Sequence, residues 1–393
     1  MKKSVKDVDV KGKRVLVRVD FNVPMEGGRV TDDTRIRATL PTLQYLLDQG
    51  ASVVLMSHLG RPDGKVKDEL KLAPVARRLS DLLARPVESL ADCVGTEVEQ
   101  KVAALAPGQL ALLENLRFHP EEEANDKGFA QQLARLGDVY VNDAFGAAHR
   151  AHASTAGVAS YLPAVSGLLM QAEIDVIGQA LEDPKRPFIA IIGGAKVSDK
   201  IGLLRNLIGK VDTLLIGGGM ANTFLVAIGC QVGESLVERD KVSEARELIR
   251  LADSSAVQLI LPRDVVVASA FANDAESKTV SCQQTPDGWR IMDIGPATVK
   301  QYSDIIITAR TVVWNGPMGV YEMERFAEGT RGVGEAIAAC TGVTIVGGGD
   351  AVAALERAGL AANVTHVSTG GGATLELLEG RVLPGVAALQ DKE

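Results

Sequence analysis

Four short runs in the first half of the chain gather residues that bind anions: RVDFNVP (18–24), SHLGRP (57–62), ENLRF (114–118) and AHR (148–150). Each follows an apolar stretch, so Asp20 and Asn22, His58 and Arg61, Arg117, and His149 with Arg150 are expected at neighbouring strand ends, with Arg35 early in the helix after the first strand. A guanidinium offers a planar fork of donors that matches phosphate or carboxylate oxygens two at a time, which an ammonium cannot do. Any one of these arginines is more often the partner of a nearby carboxylate, but their recurrence at successive strand ends points to a small polyanion. Asp20 and Asn22 are suited to hold hydroxyl groups of the same ligand. Alternation along the first strand puts Arg18, Asp20 and Asn22 on one face and Val15, Val17, Val19, Phe21 and Val23 on the other. Arg18, farthest from the strand end, is read as a structural partner inside the fold.

The second half ends its strands differently. IIGGAKVSDK places Lys196 after a Gly-Gly turn and Lys200 four residues on, one helical face if the helix starts there. Glycine turns recur at 217–219, at Gly347, Gly348 and Gly349 before Asp350, and at 370–372 after Ser368 and Thr369. Backbone N–H groups in such turns can approach phosphate oxygens, and a helix N-terminus favours the negative charge. Each turn alone is equally a device for tight packing of strand on helix; the set reads as a nucleotide platform. Asp350 is a candidate Mg²⁺ ligand or an ordinary helix cap, and Glu322 is a candidate acceptor for ribose hydroxyls. Neither G-x-x-x-x-G-K-[ST] nor G-x-G-x-x-G after a strand is present, which excludes a P-loop and the dinucleotide fingerprint.

The elements that must position these groups are short Val/Ile/Leu-rich runs alternating with helical stretches, the pattern of parallel sheets covered by helices. At 393 residues the chain exceeds what one core normally sustains. The expected fold is α/β: two Rossmann-like lobes, each a mostly parallel sheet covered by helices, spanning 1–170 and 171–379 and joined by an interdomain helix near 165–185. Ligands of open α/β sheets lie beyond the C-terminal strand edge, so both sets of residues stand where binding occurs.

The net charge of −8 argues against a nucleic-acid or anionic-membrane binder, while leaving room for a local basic pocket. Four scattered cysteines show no CxxC pair and no metal-ligand spacing, which suits a reducing compartment. The basic N-terminus lacks the apolar run of a signal peptide, and no membrane span is apparent, so the expectation is a cytoplasmic protein. The rival functions are another acid kinase, a dehydrogenase with an atypical glycine turn, and a non-catalytic two-lobed anion binder.

Taken in order, RVLVRVDFNVP, SHLGRP, ENLRF, AHRAH, GGAKVSDK, VWNGPMGVYE, GGGD and STGGGA resemble the phosphoglycerate kinase family over essentially the whole chain. The resemblance implies phosphoryl transfer from 1,3-bisphosphoglycerate to MgADP, giving 3-phosphoglycerate and MgATP. It implies 3-phosphoglycerate contacts at Asp20, Asn22, Arg35, His58, Arg61, Arg117 and Arg150. It implies nucleotide contacts at Lys200, Gly219, Asn315, Pro317, Glu322, Gly347, Gly348, Gly349, Asp350 and Ala351, with Asp350 holding Mg²⁺. Arg35, Lys196 and the backbone of Gly371 and Gly372 would neutralise the transferring group. It further implies a monomer with small-molecule substrates only, and a tail (380–393) that packs on the N-terminal lobe. One departure is Ala351, where the family commonly has Thr or Ser; the implied loss of a hydroxyl contact predicts a modest change in nucleotide affinity.

Overall fold

Val15, Leu16 and Val17 are all fully buried. A strand with consecutive apolar residues hidden on both faces belongs in the middle of a parallel sheet covered on each side. The computed structural model, which describes residues 1–392, puts it there. Six parallel strands run in the spatial order Val87–Ser89, Leu110–Leu112, Ser52–Met56, Arg14–Arg18, Val139–Asn142, Ala164–Ser166. The helix Thr34–Asp48 turns Ile36, Leu43, Leu46 and Leu47 inward, one apolar stripe at helical spacing, into the same cluster as Val15, Val17, Val53 and Leu55. This sheet belongs to a compact unit formed by Met1–Asp175 together with residues 382–392.

The returning tail is built into that unit by backbone pairing. Lys3 donates to the Gln390 carbonyl at 2.8 Å, Gln390 to Ala164 at 2.9 Å and Gly385 to Ala148 at 2.8 Å. Leu383 and Leu389 are buried, and Lys392 pairs with Asp7 at 3.0 Å.

The second unit, Val176–Arg381, repeats the architecture. Its six parallel strands run Gln258–Ile260, Thr213–Ile216, Phe188–Ile192, Thr311–Asn315, Val343–Gly347, His366–Val367. In order of sequence this is 3-2-1-4-5-6, the doubly wound dinucleotide-fold order, with the reversal between Phe188–Ile192 and Thr311–Asn315. The crevice at that switch point opens beside Gly193 and Gly316. The expectation of two α/β lobes with mostly parallel sheets is borne out.

Three local expectations are corrected. The first strand ends at Arg18, and Asp20 and Asn22 lie in the loop beyond it, where Val19, Phe21 and Val23 remain buried and so does Asp20. The run AVQLILPRDVVVA is two strands of different sheets: Gln258–Ile260 is parallel, and Asp264–Ala268 starts an antiparallel sheet with Ser277–Ser281 and Arg290–Ile294. Pro262 separates them, since it has no N–H to give a ladder. Finally, the helix after the 193–194 turn begins at Ile201, with Lys200 as its cap. Lys196 is therefore in the loop, and the two lysines share no helical face.

Candidate active site

The first unit draws its basic residues from four adjacent strands. Arg18 is buried and spends its donors internally: Nε on Ser154 Oγ at 2.8 Å, Nη1 on the Val19 carbonyl, and Nη2 on His58 Nδ1 at 3.0 Å. It is a structural residue, as its position along the strand suggested. A guanidinium has no acceptor atom, so His58 must accept at Nδ1 and carry its proton on Nε2. Burial first, then the charges of Arg18, Arg117 and Arg35, push this imidazole well below its ordinary range. His58 is thus a neutral donor, held in one tautomer by the residue behind it.

Asp20 and Asn22 arrange their surroundings. Both Asp20 oxygens lie 3.2 Å from Arg35 Nη1, which also donates to the Asn22 carbonyl at 3.1 Å. Nε and Nη2 of Arg35 keep no partner among the described residues, so half the fork is committed to orientation. Asn22 Oδ1 accepts from Gly60 N at 2.9 Å, and Arg117 Nη1 donates to Gly60 O at 3.0 Å. The SHLGRP loop is thereby clamped from both sides, with Arg61 exposed beside the clamp. Asn115 adds two bonds from below, receiving Leu59 N at 3.2 Å and donating to Leu59 O at 2.8 Å. Arg117 is lowered by burial, with the charges of Arg18 and Arg150 adding to the effect against Glu123. The exposed Arg150 rests its Nε on His149 Nε2 at 3.0 Å. Sequence reasoning missed the buried support: Glu122 accepts from Ser154 Oγ at 2.6 Å and Ser154 N at 2.9 Å, and the same Ser154 hydroxyl receives Arg18. Glu122 sits in the run PEEE, which reads as a solvated helix start.

In the second unit a cavity of about 500 Å³ opens at the switch point. Gly194, Ala195, Gly218, Gly219, Pro317, Glu322 and Asp350 supply its polar rim, while Leu225, Val265, Phe271, Met292 and Val320 form an apolar wall. Phe271 is 59 % exposed and offers this wall an aromatic face suited to stacking on a flat ligand. Much of this wall comes from the antiparallel sheet or its loops, which the apolar pattern of the chain does not reveal. The glycines divide by role. A Cβ on Gly218, at φ +68°, would stand 2.6 Å from the Gly194 backbone, and one on Gly316, at φ +88°, would stand 2.4 Å from Gly193 O. These glycines let three turns stack on one another, the packing role rather than a phosphate cradle. Around Gly349 and Gly371 there is open space instead, and each stands at the start of a helix, Gly349–Arg357 and Gly372–Leu378.

Lys200 donates to Asn315 Oδ1 and is lowered chiefly by burial, whereas Lys196 is exposed in its loop. Gly348 caps the helix Gly349–Arg357, so Asp350 is not the cap; its carboxylate is exposed, and among the described residues its one hydrogen-bond partner is the Tyr321 hydroxyl at 3.5 Å. An exposed carboxylate beside the open space around Gly349 fits Mg²⁺, which takes one or two carboxylates and fills the rest with water and phosphate oxygens. Ala351 corrects an expectation: its side chain is fully buried in the cluster of Trp314, Val346 and Leu355. The residue is wholly buried, so a hydroxyl at this position would enter the core.

A doubly wound sheet with a carboxylate and glycine turns at its switch point, in one chain with a second sheet edged by oriented arginines, defines a nucleotide-dependent phosphotransferase. Comparison with known proteins narrows the class. The model of the phosphoglycerate kinase family matches residues 5–381. Phosphoglycerate kinase of Moorella thermoacetica is 65 % identical over 391 residues, covering 100 % of both chains, and that of Herpetosiphon aurantiacus is 61 % identical over 392 residues, again covering 100 % of both. Among solved structures, phosphoglycerate kinase from Coxiella burnetii superposes with a TM-score of 0.91 at 43 % identity, over 99 % of this chain and 98 % of that one. The Pyrococcus horikoshii OT3 phosphoglycerate kinase gives 0.85 at 34 % identity, over 98 % of each. The chain belongs to the phosphoglycerate kinase family. It is a kinase that moves a phosphoryl group between the acyl-phosphate of 1,3-bisphosphoglycerate and ADP, with Mg²⁺ and the nucleotide as co-substrate. Among the described residues no helix is long and apolar enough to cross a membrane.

Proposed function

We propose that the two ligands are divided between the units: Met1–Asp175 holds the glycerate phosphate and Val176–Arg381 holds the nucleotide. The observation that carries this reading is the separation of chemistry, with four adjacent strand ends of one sheet supplying arginines and His58 and the switch point of the other supplying glycine turns and Asp350. Asp20, Asn22, His58, Arg61, Arg117 and Arg150 bind and orient 3-phosphoglycerate. Lys200, Gly219, Asn315, Pro317, Glu322 and the backbone of 347–351 hold the nucleotide. Mg²⁺ bound at Asp350 supplies charge neutralisation at the phosphates.

In the ATP-consuming direction the acceptor is a carboxylate, already deprotonated near neutral pH, so no general base is needed. What the reaction demands is alignment and neutralisation of the phosphoryl oxygens. Arg35, through the donors that Asp20 leaves free, and the exposed Lys196 supply the cations; the N–H groups of Gly371 and Gly372 supply backbone donors. The transferring group must be shielded from water, so we infer closure of the two units around both ligands. Small-angle scattering should register compaction only when 3-phosphoglycerate and a nucleotide are both present; no compaction would remove closure from the scheme.

A coupled assay of ADP formation from MgATP and 3-phosphoglycerate tests the assignment. Arg35→Ala and Lys196→Ala should each lower kcat by at least about 10²-fold, the scale of losing one preorganised donor to a developing charge. MgADP binding should survive Arg35→Ala, and 3-phosphoglycerate binding should survive Lys196→Ala. Loss of both affinities in either variant would overturn the division. The same reading includes a cytoplasmic monomer: its four unpaired cysteines suit a reducing compartment, and light scattering checks the mass.

A further inference from the structure

The sequence spacing of Asp92, Cys93 and His119 matches no metal motif, yet the first unit folds them together. His119 Nε2 lies 2.7 Å from Asp92 Oδ1, and one potential ligand atom from each of the three residues lies within 4.8 Å of the others. We propose that Asp92, Cys93 and His119 form a site for one borderline-soft divalent cation of the Zn²⁺ type, distinct from the Mg²⁺ position at Asp350.

The donor set makes the choice of ion. Thiolate with imidazole and carboxylate selects zinc-like ions, whereas Mg²⁺ and Ca²⁺ take oxygen. The donors are also held in place. Cys93 N donates to Asp92 Oδ1 at 2.7 Å, which fixes the carboxylate over the turn. The His119 ring packs against Phe129 with centroids 5.3 Å apart. Exposure is graded: Asp92 is open to solvent, His119 retains 29 % of its side-chain surface, and Cys93 is fully buried. An ion can therefore enter at the carboxylate and imidazole and meet the sulfur at the base, with water as fourth ligand.

A tetrahedral Zn²⁺ keeps its ligand atoms about 3.3–3.6 Å apart. The His119–Asp92 pair must open by roughly half an ångström and the sulfur must approach, movements within side-chain reach. Burial, then Asp92 and Glu122, keep the Cys93 thiol protonated without metal. Binding breaks the S–H bond, releases that proton to solvent and forms the S–metal bond, with no change of oxidation state. The competing explanation is a histidine–aspartate hydrogen bond that happens to lie beside a structural thiol, which would bind Zn²⁺ no better than any exposed histidine.

The test uses the full chain, stripped with a chelator, in excess Mg²⁺. Zn²⁺ is titrated against a chromophoric chelator, and Co²⁺ is added separately while the absorption spectrum is recorded. The expected result is one equivalent of Zn²⁺ and a thiolate-to-Co²⁺ charge-transfer band with tetrahedral visible bands. Both should persist in the Cys230→Ser/Cys282→Ser double variant. Both should be lost in Cys93→Ser and in His119→Gln, with affinity falling by more than the roughly 10–100-fold that loss of a supporting contact costs. His119 is partly exposed, so His119→Gln and Asp92→Asn decide the matter if Cys93→Ser does not fold. Absence of a thiolate band, or Zn²⁺ binding unchanged in His119→Gln, overturns the site.

Discussion

Arg18 and Asp20 stand two residues apart and both are buried, yet one bonds to Ser154, Val19 and His58 inside the fold and the other orients Arg35. The difference is where the strand stops: Arg18 is its last residue, still between neighbouring strands, while Asp20 is past the edge. The polar character of both was legible in the sequence; the network of Ser154 and Glu122 that holds Arg18 was not, because it joins residues more than a hundred positions apart. Asp293 is a residue no spacing singled out. It is buried on the cavity wall, accepts Gly329 N at 2.7 Å and Ile294 N at 2.9 Å, and is nonetheless pushed up to about 8, because burial outweighs those two bonds. Its folded pKa is above its unfolded one, so between about pH 4 and 8 the native state holds a proton that the unfolded chain has released. Its contribution is therefore complete at low pH and lost as pH rises through that window. Denaturant unfolding followed across pH should lose that part of its slope in Asp293→Asn, whatever the variant does to absolute stability. An unchanged slope would mean the carboxyl is ionised in the native protein.

At the scale of elements, the alternation of apolar runs and helices was readable because parallel strands buried on both faces must be continuously apolar. The antiparallel sheet was hidden because Val265, Val267 and Ala268 follow the apolar run of the preceding parallel strand after only Pro262, Arg263 and Asp264, a break short enough to read as one strand. That loss mattered, since Phe271 and Met292 come with this sheet and line the cavity. The glycine turns were seen, but their division of labour was not: a sequence cannot distinguish a glycine that faces a ligand from one that faces another backbone. Gly316 is of the second kind. In Gly316→Ala the new methyl meets Gly193 O at 2.4 Å and the backbone is held at φ +88°, a combination that should cost about 1–3 kcal/mol or more. The strain falls on the turns that rim the cavity, so MgADP affinity should drop while 3-phosphoglycerate affinity is unchanged. Calorimetric titration with each ligand, beside a denaturation curve, reads both effects. Equal stability of variant and wild type would show that the turns can separate without loss.

For the molecule as a whole, a net charge of −8 coexists with a site built of arginines because charge is placed locally: carboxylates are spread over the chain while the arginines converge at one sheet edge. The tail is the long-range tie in that arrangement. Residues 382–392 belong to the unit of the first 175 residues, separated from it in sequence by the entire second unit. They bury Leu383 and Leu389, each worth about 1.5–3 kcal/mol of transfer free energy. Asn142 Nδ2 donates to Gly385 O at 3.2 Å, and Gly385 N donates to Ala148 O at 2.8 Å. Those partners bracket the segment between the strand Val139–Asn142 and Arg150, so the tail braces the stretch of chain that leads to Arg150. Truncation after Arg381 should lower the unfolding midpoint of the first unit by an amount equivalent to several kcal/mol. The second unit has its own core and cavity and none of these contacts. The truncated chain should accordingly bind MgADP as the intact one does, bind 3-phosphoglycerate more weakly, and turn over slowly. Calorimetric unfolding with each ligand present separates the two units, because a ligand raises only the transition of the unit that holds it. If truncation lowered the nucleotide-stabilised transition instead, the tail would have to act on the second unit, and its support of the Arg150 segment would not be what holds the enzyme together.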